Sequence, residues 1–191
     1  DLTNQWGHRG VQRLVKDLNI IYKAHPALWK LDADAAGFSW INADDHGGNV
    51  FSFLRYDGEG QMLASVVNFS SEPRPDYRIG LPAVGVWKEI LNTDAVVYDG
   101  TGLVGNLGQV VAKDIPSHGY PASATVTIPP LGAVWLLLEP GPDEDQPDPE
   151  KVAAGVKAAA RQATPGRTST DGLPTKATQR AAKPKSKGPR A

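Results

Sequence analysis

The chain has no cysteine. Disulfides and thiolate metal sites are therefore excluded, and the composition suits a cytoplasmic protein. Methionine is nearly absent: Met62 is the only one, and the chain opens on Asp1. Its first ten residues, DLTNQWGHRG, are polar with one Trp. They resemble neither a signal peptide nor a membrane span, and no run of about 20 apolar residues occurs further on. A chain that starts with Asp and enters a helix almost at once reads as a piece of something longer. Charge of one sign is also lacking, since the net charge is −1. Residues 1–140 carry ten basic and fifteen acidic side chains, and residues 141–191 carry ten and six. The compact part thus has no pull toward nucleic acid. The basic run KATQRAAKPKSKGPR lies in the tail, where a solubilising role outweighs a weak polyanion contact.

Residues 8–25, HRGVQRLVKDLNIIYKAH, carry the one long helical pattern of the compact part. Val11, Leu14, Val15, Leu18, Ile21 and Tyr22 recur at the spacing of one apolar helical face. Pro26 ends the pattern, because proline lacks an N–H and pushes the preceding residue out of the α region. Lys23 and His25 fall near the helix end, where cations suit its dipole. Residues 26–37 read as a short irregular connection with a helical turn around Leu28 and Trp29.

From residue 38 the pattern is strand-like. Strands are predicted at 38–42, 50–56, 62–70, 77–80, 86–91, 109–114, 124–128 and 133–138, separated by turn-forming stretches such as ADDHGGN and DGEGQ. The segment 62–70 (MLASVVNFS) is apolar on both faces and is expected to lie centrally between two layers. In 124–128, Ala124, Val126 and Ile128 point inward. About eight short strands over some 100 residues predict an antiparallel β-sandwich. From 141 the chain turns acidic and Pro-rich, then rich in Ala, Lys and Thr. It has too little apolar surface to offset its chain entropy, so residues 141–191 are predicted to be disordered.

No Ser-His-Asp, P-loop or dinucleotide fingerprint is present. The glycines of residues 100–108 include a G-x-G, but no strand–helix context surrounds them, so a turn-rich loop is the stronger reading. The four histidines, His8, His25, His46 and His118, lack ligand spacing, and no metal site or cofactor is expected. Asp44 and Asp45 suggest calcium binding or acid–base work less than a solvated turn, given the HGG directly after them. Asn68-Phe69-Ser70 matches a glycosylation sequon but ends a strand expected to be buried. Among the aromatics, Trp40 and Trp87 lie inside strands and are expected in the core. Tyr98 and Tyr120 lie in loops and are the better candidates for stacking on sugar rings.

Several segments together resemble bacterial 1,4-α-glucan (glycogen) branching enzymes of glycoside hydrolase family 13. They are HRGVQRLVKDLNIIYKAHPALWKLD, GFSWINADD, NVFSFLRY, VVNFS, YRIGLPAVGVWKEILNTDAVVYDGTGLVGNLG and HGYPASATVTIPPLGAVWLLL, in order over residues 7–138. The LNTDAVVYDGTGLVGN stretch and the helix ending in YKAHPALW are the distinctive ones. The tail lies outside the shared pattern.

The resemblance implies an N-terminal β module, a (β/α)₈ catalytic barrel and a C-terminal β-sandwich. Residues 1–25 would be the last loop and eighth helix of that barrel, 26–37 a linker, 38–140 the sandwich and 141–191 the tail. It implies cleavage of an α-1,4 bond and transfer of the glucan segment to a 6-hydroxyl, by a retaining mechanism with an Asp nucleophile and a Glu acid–base. Those carboxylates sit at strand ends of the barrel and would lie upstream of Asp1; no residue here matches their motifs, so none is assigned. The fragment alone is expected to be inactive. Trp6 and His8, in the loop that opens on the active face, are the candidate glucan contacts. The expected partner is an α-glucan chain met through the barrel, with no membrane and no specific nucleic acid, and the protein is expected to be a cytoplasmic monomer. The competing reading is a stand-alone glucan-binding or interaction module. The helix separates the two: a self-contained module would hide its stripe on its own sandwich, whereas a barrel helix would pack by only part of its apolar face.

Overall fold

The computed structural model describes residues 8–141. Trp6 and the tail predicted to be disordered lie outside these described residues. Helix α1 (His8–Ala24) stops where expected. His25 is extended at φ −118°, as a residue before proline must be, and Pro26–Leu28 forms a 3₁₀ turn. A second 3₁₀ turn, Ala35–Gly37, is capped by the Asp34 carboxylate, which accepts from the Ala36 N–H at 2.8 Å.

Eight strands come next among the described residues: β1 (Phe38–Asp45), β2 (Val50–Tyr56), β3 (Met62–Asn68), β4 (Arg74–Leu81), β5 (Gly85–Asn92), β6 (Gln109–Ala112), β7 (Ala122–Ile128) and β8 (Gly132–Leu138). They form a six-stranded sheet in the order β1-β2-β3-β8-β5-β6 and a two-stranded sheet of β4 and β7. All pairings are antiparallel. The two sheets face each other as the predicted sandwich, joined at one rim by a bridge between Lys113 and Ser123.

Local chemistry explains where the strand ends differ from the sequence reading. β1 runs on to Asp45 because Asp45 itself closes the turn, its carboxylate accepting from the Gly48 N–H at 2.7 Å. A Cβ at position 48 would sit 2.1 Å from that carboxylate, so any other residue there would displace the Asp45 side chain from the turn. β3 stops at Asn68, not at residue 70. The buried Asn68 side chain accepts from the Ser70 N–H at 2.9 Å and donates to the carbonyls of Glu72 and Pro129 at 2.8 and 3.0 Å. An amide engaged on both sides in this way leaves no group to carry a glycan, so the sequon is structural.

The core lies between the sheets. Val50, Leu54 and Tyr56 of β2 meet Met62, Ala64 and Val66 of β3, Trp87 of β5, Val134 and Leu136 of β8, and Ile79, Leu81, Val126 and Ile128 of the smaller sheet. β3 is central, as expected, and buried on both faces. On its outer face Leu63 is fully buried where the turn Pro26–Leu28 meets β2 and β3.

Two aromatic assignments are corrected. Trp87 is fully buried, as expected, but Trp40 is 39% exposed on the outer face of β1. In FSWIN hydrophobicity favours the face of Phe38 and Trp40 for the core, but the structure turns the face of Ser39 and Ile41 inward. Ile41 takes the core position and Trp40 the outer one. Conversely, Tyr120 is only 1% exposed. Its hydroxyl donates to the Trp40 carbonyl at 3.1 Å and lies 2.8 Å from Ser39 Oγ, which is 3.0 Å from the Tyr56 hydroxyl. It ties β1 to the loop before β7 and is unavailable to a sugar.

Burial raises the pKa of Tyr56 and of Tyr120 above the ordinary tyrosine value. Burial and then the hydrogen bond to Asp45 do the same for Tyr77. Each keeps its proton longer when folded than when unfolded, so this contribution to stability is present below about pH 10 and is lost as pH rises beyond it. The urea midpoint of the chain is therefore expected to fall between about pH 9 and pH 11, and an unchanged midpoint contradicts the placement of these hydroxyls. Trp87→Ala is expected to cost about 3–5 kcal/mol by the same measurement, because the cavity cannot collapse between two sheets.

Candidate functional site

Helix α1 makes its main contacts outside the two sheets. It rests on the loop after β5, whose 3₁₀ turn Val96–Tyr98 forms the platform, and on the turn Pro26–Leu28. Four side chains, one backbone amide and one carbonyl make the seat. The Gly10 N–H donates to the Asp99 carboxylate at 2.9 Å, Arg13 donates to the Val97 carbonyl at 2.9 Å, and the Tyr98 hydroxyl donates to Asp17 at 3.0 Å. Gly10 is the only fully buried residue of the helix, and a Cβ there would meet the Tyr98 carbonyl oxygen at 2.1 Å. The close approach of helix to loop thus depends on glycine at this position. Tyr98, the other tyrosine offered for sugar stacking, is spent in this seat; burial and then Asp17 raise its pKa.

The seat covers only one side of the helix. At roughly 100° per residue, Gly10, Arg13, Leu14, Asp17 and Ile21 share that side, and Val11, Val15 and Tyr22 lie about a third of a turn further round. Leu14, Leu18 and Ile21 are half-buried, while Val11 is 60% and Val15 51% exposed. Three of the six residues read as one buried face are therefore open to solvent. Beyond α1, His25 donates its N–H to the Ile21 carbonyl at 3.0 Å. Burial lowers the pKa of its ring, so it is neutral at pH 7 and adds no cation to the helix end.

The connection between α1 and β1 is fastened to the sandwich. Arg55, on the outer face of β2, donates to the carbonyls of Ala27 and Leu28 at 3.4 and 3.2 Å and pairs with Asp32. The Ala27 N–H donates to Gln61 at 3.0 Å, and Lys30 pairs with Glu59. The long loop after β5 is equally fixed. Asp94 receives the Thr101 N–H and hydroxyl, at 2.9 and 2.5 Å. Asn106 joins Glu89 to β7 by exchanging hydrogen bonds with the Thr127 backbone at 2.7 and 3.1 Å. The glycines of this loop serve the turn, as expected from the sequence.

His8 is exposed at the first residue of α1, and the structure brings no second candidate glucan contact to it among the described residues. A shallow depression beside it is lined by Arg9, Gln12, Arg13, Lys16 and Asp17. Among the described residues that line it the one carboxylate is bound to Tyr98, so these residues supply no acid–base pair of the kind glycoside chemistry needs. Asp44 and Asp45 likewise form a turn: Asp44 points into solvent near His46, and Asp45 holds Gly48 and the Tyr77 hydroxyl. No group of three or more His, Cys, Asp or Glu among the described residues is placed to hold a metal ion. No helix among them is long and apolar enough to cross a membrane.

The chain is similar to bacterial proteins named 1,4-alpha-glucan branching enzyme GlgB. That of Cutibacterium acnes is 57% identical over 136 residues, covering 71% of this chain and 21% of the relative. That of Rhodococcus jostii is 57% identical over 132 residues, covering 69% and 18%. That of Burkholderia vietnamiensis is 52% identical over 136 residues, covering 71% and 18%. The chain thus spans about a fifth of the length of the curated relatives it matches. These relatives bear out the resemblance read from the sequence. The family described as alpha amylase, C-terminal all-beta domain, matches residues 40–139, which run from β1 to just past β8 and make up just over half of the chain. The chain belongs to the family of alpha-amylase C-terminal all-beta domains.

Proposed function

We propose that this chain is the bracing part of a retaining 1,4-α-glucan branching enzyme. In that reading residues 1–25 are the last loop and helix of the catalytic barrel, 26–37 the linker, 38–140 the C-terminal sandwich and 141–191 the tail. The whole enzyme cleaves an α-1,4 bond, holds the segment as a covalent glycosyl-enzyme on an Asp, and passes it to a 6-hydroxyl to form an α-1,6 branch. The catalytic carboxylates belong to the barrel, and this chain supplies none of them. Its contribution is positional. The sandwich core is self-sufficient, and the platform at 96–99 holds α1 by Gly10, Arg13 and Asp17. Clamping the last barrel helix fixes one wall of the barrel against a rigid body. The partner is an α-glucan such as glycogen or amylose, the setting is the cytoplasm, and the enzyme acts as a monomer.

The observation that carries this reading is the half-covered helix. Val11, Val15 and Tyr22 would have no reason to be apolar on a free-standing module. They have one if neighbouring barrel helices cover them, since each fully buried valine contributes about 1.5–3 kcal/mol.

In the intact polypeptide, Val15→Asp is expected to lower stability by roughly 2–4 kcal/mol, because a carboxylate would be buried without a partner. A melting temperature unchanged by Val15→Asp would put the stripe in solvent and sink the barrel assignment. Incubated with amylose, the intact polypeptide is expected to form α-1,6 linkages, read by debranching and chain-length profiling, and the 191-residue chain to form none. Retention of the 191-residue chain in glycogen-containing gels, together with no branching by the intact polypeptide, would favour the stand-alone binding module. Trp6, from the segment that precedes α1, and His8, at its first residue, are proposed to touch glucan. Trp6→Ala and His8→Ala should each raise KM for amylose several-fold with kcat nearly unchanged, and unaltered kinetics would remove them from the site.

A further inference from the structure

Four of the ten basic side chains of residues 1–140 lie on α1, although that part of the chain carries fifteen acidic ones. They are Arg9, Arg13, Lys16 and Lys23. At roughly 100° per residue the four fall within about 80° of arc, so they form one row along the helix. The seat residues Gly10, Leu14, Asp17 and Ile21 separate this row from the apolar stripe. The only carboxylate of α1, Asp17, receives the Tyr98 hydroxyl, and Asp99 receives the Gly10 N–H. Beside the seat the row is concave: Arg9, Gln12, Arg13 and Lys16 line the depression there together with Asp17. A cationic row on an otherwise acidic body fits an anionic partner.

The chain carries such a partner. Residues 143–150, DEDQPDPE, hold five carboxylates and no basic side chain. They lie outside the described residues, but the point from which they depart is described. The Glu139 N–H, just past β8, donates to the Val86 carbonyl at 2.9 Å, and Gly141 is the last described residue. Shortly before it, Leu137 pairs with Leu63 of β3, against which the turn Pro26–Leu28 packs. The acidic segment therefore departs close to the C-terminal end of α1. The other end of the helix rests on the platform Val96–Tyr98, past the opposite end of the sheet, where Asn92 of β5 pairs with Val134 of β8. The 17 residues of α1 measure about 25 Å. Eight extended residues reach about 26–29 Å. A chain that doubles back from Gly141 along α1 passes Lys23, Lys16, Arg13 and Arg9 in that order.

We propose that the acidic segment 143–150 docks along the cationic row of α1 as an intramolecular latch. The latch involves neither glucan nor a catalytic group. Single exposed ion pairs are weak. A short tether makes the encounter intramolecular, at an effective concentration on the order of millimolar. The row is already held in place by the helix and its seat, so only the segment has to be ordered. The basic run 176–190 competes for the same carboxylates, but there both partners would have to be ordered. Raised salt opens the latch by screening.

Zero-length carbodiimide cross-linking of the intact polypeptide, mapped by mass spectrometry, tests the latch. Lys16 and Lys23 are expected to join to carboxylates of 143–150 in the same sample in which Lys30 joins to its ion-pair partner Glu59. The yield should be unchanged on dilution. Relative to the Lys30–Glu59 link, it should fall several-fold between about 10 mM and about 1 M salt, as the Debye length shrinks from about 30 Å to about 3 Å. A Lys30–Glu59 link with none from the segment to α1 would overturn the proposal. So would links from the segment only to lysines of the basic run or of the rest of the polypeptide, which assign its carboxylates elsewhere. A link to Lys16 and Lys23 that is lost on dilution assigns the row to another copy's tail, and one that is indifferent to salt contradicts an electrostatic latch; either result refutes it.

Discussion

The inner face of the large sheet sets the direction of everything outside it. Side chains alternate along a strand, so once Val50, Leu54 and Tyr56 of β2 and Met62, Ala64 and Val66 of β3 are committed to the core, the alternate residues must face out. A slip of one residue between β2 and β3 would bring Phe51 and Phe53 inward and push Leu54 into solvent. The register pairs Phe53 with Ser65 and Leu54 with Ala64, which fills the space before β4 and β7 without that slip. Only two strands close this face of a six-stranded sheet, and the large side chains of Trp87 and Tyr120 help to fill the gap between them. Because the inner face is complete, the outer face is free to make contacts, and it makes them with Arg55, the turn Pro26–Leu28 and an aromatic cluster of Trp40 with Phe38, Phe51, Phe53 and Phe69.

The helix shows the same division between what is satisfied and what is left over. Its polar seat is specific: a glycine approach, a carboxylate on an amide, an arginine on a carbonyl and a tyrosine on an aspartate. None of these bonds contributes much alone, since exposed hydrogen bonds return only about 0.5–1.5 kcal/mol each. Together they fix the rotation of α1 about its axis. That rotation turns Val11, Val15 and Tyr22 away from the platform, so the sandwich orients the helix while leaving its apolar stripe exposed.

Much of this was legible in the chain. All eight strands and the helix fall where period and turn residues put them, because the turns are written in Asp, Asn and Gly and the strands in β-branched and aromatic residues. The central position of β3 could be read from its apolar character on both faces. Sidedness was harder. In FSWIN, Phe38 and Trp40 alternate with Ser39 and Ile41, and hydrophobicity favours the aromatic pair for the core. The structure chooses the other pair because Ser39 is needed between the buried hydroxyls of Tyr56 and Tyr120. That bond joins residues 81 positions apart, and nothing local announces it. Tyr98 and Tyr120 do lie in loops, but they looked free to stack on sugars for the same reason: their partners, Asp17 and Ser39, come from distant elements. The aromatic cluster was also missed, although one clue was present, since every phenylalanine falls in or beside β1, β2 and the end of β3.

The central claim is that α1 belongs to two bodies at once, seated by the sandwich and covered by a catalytic barrel. Amide hydrogen exchange along α1 in the intact polypeptide tests it most directly. A barrel helix shielded on both sides should exchange only through global opening, so its amides should be as slow as those of central strand β3. Exchange of the α1 amides far faster than β3, with the sandwich itself intact, would mean that the helix frays on one exposed side and that no second body covers it.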